Sequence, residues 1–248
     1  MSVLKARMKF RKWGSMKYVG HLDMMRFFQK ALRRAEIPVA FSGGYSPHMI
    51  LSFAQPLGLG ITSDGEYMDL EFCEGIVLEE AYLKETVQKL NQVMVDGVEV
   101  VGLVVIDPDK KRGGMTIVAA ASYQVRLLAS LRSLEEALPF PETWQKALPA
   151  FLGQKELPVW KKTKSKETLV DIRPMIYQME MEEEKLCLFL AAGSNENLKP
   201  ELVMKTFLEY LGEGGEYFFS YHRTDLYART ENGFCPLDSL EYREETAQ

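Results

Sequence analysis

Cysteine and histidine are scarce in this chain. Its 248 residues hold three of each: Cys73, Cys187 and Cys235, and His21, His48 and His222. They are scattered, with no C-x-x-C, H-x-x-x-H or H-E-x-x-H spacing. That pattern offers no zinc site, no iron–sulfur cluster and no disulfide framework. No G-x-x-x-x-G-K-[ST] phosphate loop occurs either, so no metal or cofactor is expected. The longest apolar run, VEVVGLVVI at 98–106, is broken by Glu99 and is far shorter than the roughly 20 residues that span a bilayer. The opening MSVLKARMKFRKWG alternates charged with apolar residues and lacks the apolar core of a secretory signal. These absences predict a cytoplasmic protein with reduced thiols and no membrane association.

Charge of one sign is also missing, but region by region. Residues 1–50 carry ten Lys/Arg against two Asp/Glu, residues 51–100 carry two against ten, and the last 48 carry four against ten. The net charge of −5 therefore averages a basic N-terminal segment with acidic ones, and it does not exclude a polyanionic partner.

The pattern of apolar residues predicts an α+β fold of two tandem ferredoxin-like (β-α-β-β-α-β) domains with antiparallel sheets. Residues 3–12 alternate strictly, with Leu4, Ala6, Met8 and Phe10 on one side and Lys5, Arg7, Lys9 and Arg11 on the other. Leu22, Met25, Phe28, Leu32 and Ala35 then recur at helical spacing up to Pro38, with Asp23 in the first turn. A short strand near 39–42, an alternating strand at 66–72, a helix at 78–94 and a strand at 98–106 complete the first unit, 1–108. DPDKKRGGM reads as a linker. The order then recurs over 116–228: a strand at 116–129, a helix within 133–152, strands near 157–173, 176–181 and 185–191, a helix at 200–211 and a strand at 217–227. Residues 229–248 read as a frayed acidic tail.

Three basic groups are candidate RNA contacts. Lys5, Arg7, Lys9 and Arg11 would line the sheet face opposite the helices, the surface that RNA-recognition sheets use. Asp69 and Glu71 on the neighbouring strand could instead neutralise that row. Arg26, Lys30, Arg33 and Arg34 fall on the first helix, away from its apolar stripe. KKTKSK carries Lys161, Lys162, Lys164 and Lys166 beside Trp160, as a basic hairpin tip or as lysine protection of an edge strand. The loop FSGGYSPHMILSFAQPLGLG, 41–60, presents Tyr45 and His48; together with His21 these are the candidate catalytic groups. LGEGGEYF, 211–218, carries Glu213 and Glu216, which suit a helix cap better than a phosphate cradle.

The run VGHLDMMRFFQKALRRAEIPVAFSGGYSPHMILSFAQPLGLGITSDGEYMDLEF, with VDIRPMI downstream, resembles the radical-SAM-linked family of unknown function. Members occur alone or fused behind a radical-SAM enzyme with a cobalamin-binding domain, and free-standing ones tend to be encoded near ribonuclease G and ribosomal protein genes. The resemblance implies a radical-SAM partner. The chain itself has no C-x-x-x-C-x-x-C to hold the cluster. The HLD helix start, the Gly-Tyr-Ser-Pro-His loop and the basic hairpin also resemble CRISPR repeat-processing endoribonucleases, which cut RNA without metal. That likeness would place His21, with His48 nearby, as the general acid or base.

Three functions are consistent with these residues. The first is an RNA-binding adaptor that presents tRNA or rRNA to a modifying enzyme. The second is a metal-independent endoribonuclease. The third is a protein-only scaffold docking through its acidic half.

Overall fold

In a computed structural model the chain is an α+β protein; residues 4–109, 112–130, 136–162, 167–182 and 184–240 are described. In chain order the strands and helices are β1 (Lys5–Lys12), α1 (His21–Arg34), β2 (Leu51–Phe53), β3 (Thr62–Glu71), α2 (Glu80–Val93), β4 (Val98–Ile106), the single turn α3 (Gly114–Ile117), β5 (Val118–Leu128) and β6 (Ala137–Leu138). There follow α4 (Glu142–Leu152), β7 (Pro158–Lys162), β8 (Glu167–Asp171), β9 (Ile176–Met181), β10 (Leu186–Ala191), α5 (Pro200–Leu211), β11 (Phe218–Thr230) and β12 (Gly233–Pro236). Two compact units divide the chain: Met1–Ala119 together with Asp225–Gln248, and Ala120–Thr224.

In the first unit β1 is central, antiparallel to β4 on one side and to β3 on the other, and β2 pairs with β3. The alternation of β1 decides this. Ala6, Met8 and Phe10 are buried, and they meet Phe28 and Leu32 of α1 and Leu83 and Leu90 of α2 in one core. Phe10, Phe28 and Phe53 stack edge to face, with centroids 4.7 to 6.0 Å apart. The helix α1 forms because Met24, Phe28, Ala31 and Leu32 fall on one side. Gly20 starts it, Asp23 suits its first turn, and Arg33 and Arg34 suit its last. The predicted stripe was one residue out of phase at its start. Leu22 points outward, 67% exposed, and Met24 takes the core position.

In the second unit the strand order is β11-β5-β10-β9, and β7 and β8 form a separate two-stranded ribbon. Its core is built on Trp144 and Phe151 of α4 against Phe207 of α5, with centroids 6.3 and 5.0 Å apart. Pro149 lies inside α4 and Gly212, in the left-handed region, ends α5, as its place in LGEGGEYF predicts.

Two local expectations are corrected. Residues 39–42 form no strand of their own, only the isolated bridges Val39–Phe72 and Phe41–Met49. The supposed tail is structured up to residue 240. The strand β12 pairs with the end of β11, a short 3-10 turn follows, and Leu237 is fully buried. Acidic composition hid one decisive apolar residue.

Candidate nucleic-acid interface

The alternation of β1 sends Lys5, Arg7, Lys9 and Arg11 to the sheet face away from the helices, as predicted. What meets them there is acid. Arg7 is 1% exposed, and its guanidinium grips Asp69 with both prongs, Nε to Oδ1 at 2.7 Å and Nη2 to Oδ2 at 3.0 Å. It also donates to the carbonyls of Leu237 and Arg112, each at 3.3 Å. The Gly114 N–H donates to Asp69 Oδ2 at 2.6 Å, and a Cβ at Gly114 would stand 2.9 Å from the Ala54 methyl, so only glycine lets α3 lie this close. Lys5 donates to the Pro108 carbonyl at 3.0 Å, with Glu71 at 3.9 Å. Only Arg11 of the row is well exposed, between Asp64 at 3.6 Å and Glu99 at 3.2 Å.

Lys9 has the most elaborate setting. Its ammonium lies 2.8 Å from Asp225 and 2.9 Å from Asp238, over the ring of Tyr67, whose hydroxyl donates to Asp225 at 2.6 Å. Burial alone would lower the lysine's pKa; hydrogen bonds and charge attraction from Asp225 and Asp238 outweigh it, and the net shift is upward. Burial, then the bond to Asp225, pushes Tyr67 well above the usual tyrosine range. Both groups therefore hold their protons more tightly folded than unfolded. Their stabilising contribution is complete below about pH 10 and is lost as pH rises beyond it. Urea midpoints measured from pH 7 to 11 should fall on the alkaline side, and Tyr67→Phe should make that fall shallower. An equally steep fall in the variant would exclude Tyr67 as a cause.

Of the two readings of the β1 row, the structure has the paired one: Lys5, Arg7 and Lys9 each meet acceptors of their own unit. A cavity of about 370 Å³ is lined by Lys5 and the carboxylates of Asp69, Glu71, Asp107 and Asp109 together with apolar residues such as Leu51 and Ile106.

The outer face of α1 is different. Arg26, Lys30 and Arg33 follow one another at helical spacing and are exposed, with Arg34 beside them. Arg26 pairs with Asp23 at 3.1 Å, an exposed contact of small worth, and Arg34 donates to the Val93 carbonyl at 2.9 Å. Lys30 and Arg33 have no acidic partner among the described residues. Just before the helix, Lys17 lies over the Tyr18 ring at 5.1 Å, and Tyr18 is 63% exposed. The sequence reading missed this pair. Its only signal was an aromatic beside a cation immediately before a basic helix.

The 42–48 segment is a small projecting loop closed at its base by three hydrogen bonds. Ser42 N–H donates to the His48 carbonyl at 2.8 Å, His48 N–H donates to Ser42 Oγ at 3.1 Å, and Ser42 Oγ bonds His48 Nδ1 at 2.8 Å. Gly44, at φ 102°, makes the reversal. Tyr45 at the tip is wholly exposed. His48 therefore closes the loop through Nδ1. His21, the first residue of α1, is half-buried and sets its ring edge-on to Phe53, 5.1 Å between centroids. No hydrogen bond or ring contact joins His21, His48 and Tyr45 among the described residues.

In the second unit, Trp160 is 69% exposed and faces Leu169 across the β7–β8 ribbon. Lys161 and Lys162 end β7, while Lys164 and Lys166 lie outside the described residues. The glycine-rich segment is tied down by Glu213, which accepts from the Tyr217 hydroxyl at 2.5 Å and the Trp144 indole at 3.1 Å. Those two bonds lower its carboxyl pKa, Tyr217 contributing more. Among the described residues no group of three or more His, Cys, Asp or Glu could hold a metal ion, and no helix is long and apolar enough to cross a membrane.

Residues 5–200 match the family described as an uncharacterized protein conserved in bacteria, DUF2344, and the chain belongs to it. No curated protein matches the chain.

Proposed function

We propose that this member of the bacterial family is a non-catalytic RNA-binding adaptor that engages structured RNA, tRNA or rRNA, through the outer face of α1. The reading rests on one observation: Arg26, Lys30 and Arg33 form an exposed cationic stripe in which only Arg26 has an acidic neighbour among the described residues. Three cations along about two helical turns, roughly 10 Å, suit successive phosphates of one strand. Tyr45, on its braced loop, offers an aromatic face for an unpaired base. The bound RNA would be presented to a modifying enzyme, of the radical-SAM class that the sequence resemblance suggests.

Labelled tRNA and rRNA fragments titrated across a salt series test this. Wild-type protein should bind with a steep salt dependence. Arg26→Glu/Lys30→Glu/Arg33→Glu should weaken binding at least 100-fold near 0.1 M salt and lower the salt slope by about 2 to 3. Equal binding by the variant, or wild-type binding insensitive to salt, would sink the proposal. The same gels examine the alternative. RNA cut in the presence of chelator, and left whole by His21→Ala or His48→Ala, would make the protein a nuclease instead.

A further inference from the structure

The second unit carries a groove of about 400 Å³ between α5 and the chain that enters β11. Met204 and Leu208 of α5 line one side of it, and Tyr217, Phe219 and Tyr221 line the other. The rings are held in place. Tyr217 sets its ring edge-on to Trp144, 5.0 Å between centroids, and donates its hydroxyl to Glu213. Phe219 and Tyr221 lie 6.3 Å apart. Beside Tyr217, Gly214 and Gly215 carry no side chain that would cover it. The charged lining is almost all acid: Glu201, Glu209, Glu213 and Glu216 against Lys205, which pairs with Glu209 at 3.7 Å. Glu201 and Glu216 are exposed and take no ion pair or hydrogen bond among the described residues. Burial, and then the Glu201 charge, raise the pKa of Tyr221, so this carboxylate lies within charge range of that ring.

We infer that this groove docks an extended basic segment of a partner protein, whose arginine side chains enter among the tyrosine rings and donate to the unpaired carboxylates. Charge complementarity selects the occupant. Four glutamates against one lysine repel a phosphate backbone and attract a cation. The rings select arginine over lysine, because a guanidinium is planar and weakly hydrated. It stacks on an aromatic face while its N–H fork still reaches a carboxylate. The spread of the acids suits a peptide. Glu201 and Glu209 lie eight residues apart on α5, about 12 Å along its axis. Residues i and i+4 of an extended chain share a face and are about 13 Å apart. The site involves no residue of α1, so it stands whether or not that helix binds RNA.

Fluorescence anisotropy of the full chain with the labelled peptide GRSGSRSG, whose arginines have that spacing, tests it. Wild-type protein should bind, and amide exchange within 201–221 should slow when it does. Glu201→Lys/Glu216→Lys, at two exposed positions, should weaken binding about tenfold or more. Glu80→Lys/Glu85→Lys makes the same charge change in the first unit and should leave binding within about twofold. The peptide GKSGSKSG should bind about threefold more weakly or worse. Absence of wild-type binding overturns the inference, as do equal losses in the two variants or equal binding of the two peptides. Spermidine that displaces the arginine peptide at matched concentration would make this a polyamine site instead. Sedimentation of the chain alone covers the remaining occupant: self-association lost in Glu201→Lys/Glu216→Lys would give the groove to the α1 stripe of a second copy, and would overturn the inference too.

Discussion

Asp69→Ala is expected to destabilise the first unit by about 3–5 kcal/mol, a larger effect than any change on the exposed basic face of α1 should have on stability. The cause is the guanidinium left behind. Arg7 sits at 1% exposure with both prongs on Asp69, and its carbonyl contacts at 3.3 Å cannot neutralise it. The Gly114 N–H loses its acceptor too. In a Trp144→Phe/Trp160→Phe background Trp13 is the sole indole, and its fluorescence reports urea unfolding of the unit that contains it. Arg7→Met/Asp69→Leu should recover most of the loss, because it removes both charges together. A loss below about 1 kcal/mol for Asp69→Ala, or no recovery in the double variant, would mean that water reaches Arg7.

Trp144→Ala should cost the second unit a similar amount, about 3–5 kcal/mol. Trp144 is 1% exposed, packs against Phe140, Phe207 and Tyr217, and donates its indole N–H to Glu213. Removing it opens a cavity between α4 and α5 and releases the glycine-rich segment that Glu213 ties down. Amide exchange along β10 measures this. Those amides should exchange several hundred-fold faster in the variant, as about 3.5 kcal/mol implies when exchange follows opening of the unit. Trp144→Phe, which keeps most of the volume, should cost markedly less. Equal exchange rates in wild type and Trp144→Ala would show that the core closes over the gap.

Local pattern carried much of the architecture. The helix predicted over 200–211 is α5, the strand over 98–106 is β4, and the alternation of β1 correctly divides core from open face. Periodicity is a local property, so local reading recovers it. The environment of the open face is not local. Asp69 and Glu71 could be placed opposite Arg7 and Lys5 from strand pairing, but Asp225 and Asp238 lie 216 and 229 residues from Lys9. No spacing rule reaches that far. The same limit applies to His48, whose tie to Ser42 depends on how the Gly-Gly turn folds back. The outward stripe of α1 was legible because one helix contains all of it.

The return of the chain to its first unit has a consequence for synthesis. Residues 225–248 belong with residues 1–119, and Lys9, Arg7 and Tyr67 find Asp225, Leu237 and Asp238 there. During translation β1 leaves the ribosome more than 200 residues ahead of these partners. At about 5–20 residues per second, it waits on the order of ten seconds or more for them. Through that interval Arg7 lacks the Leu237 carbonyl and Lys9 has neither of its carboxylates. A strand made early is thus completed late, and a ribosome that stalls before residue 225 leaves a nascent chain with an open polar face for chaperones to hold.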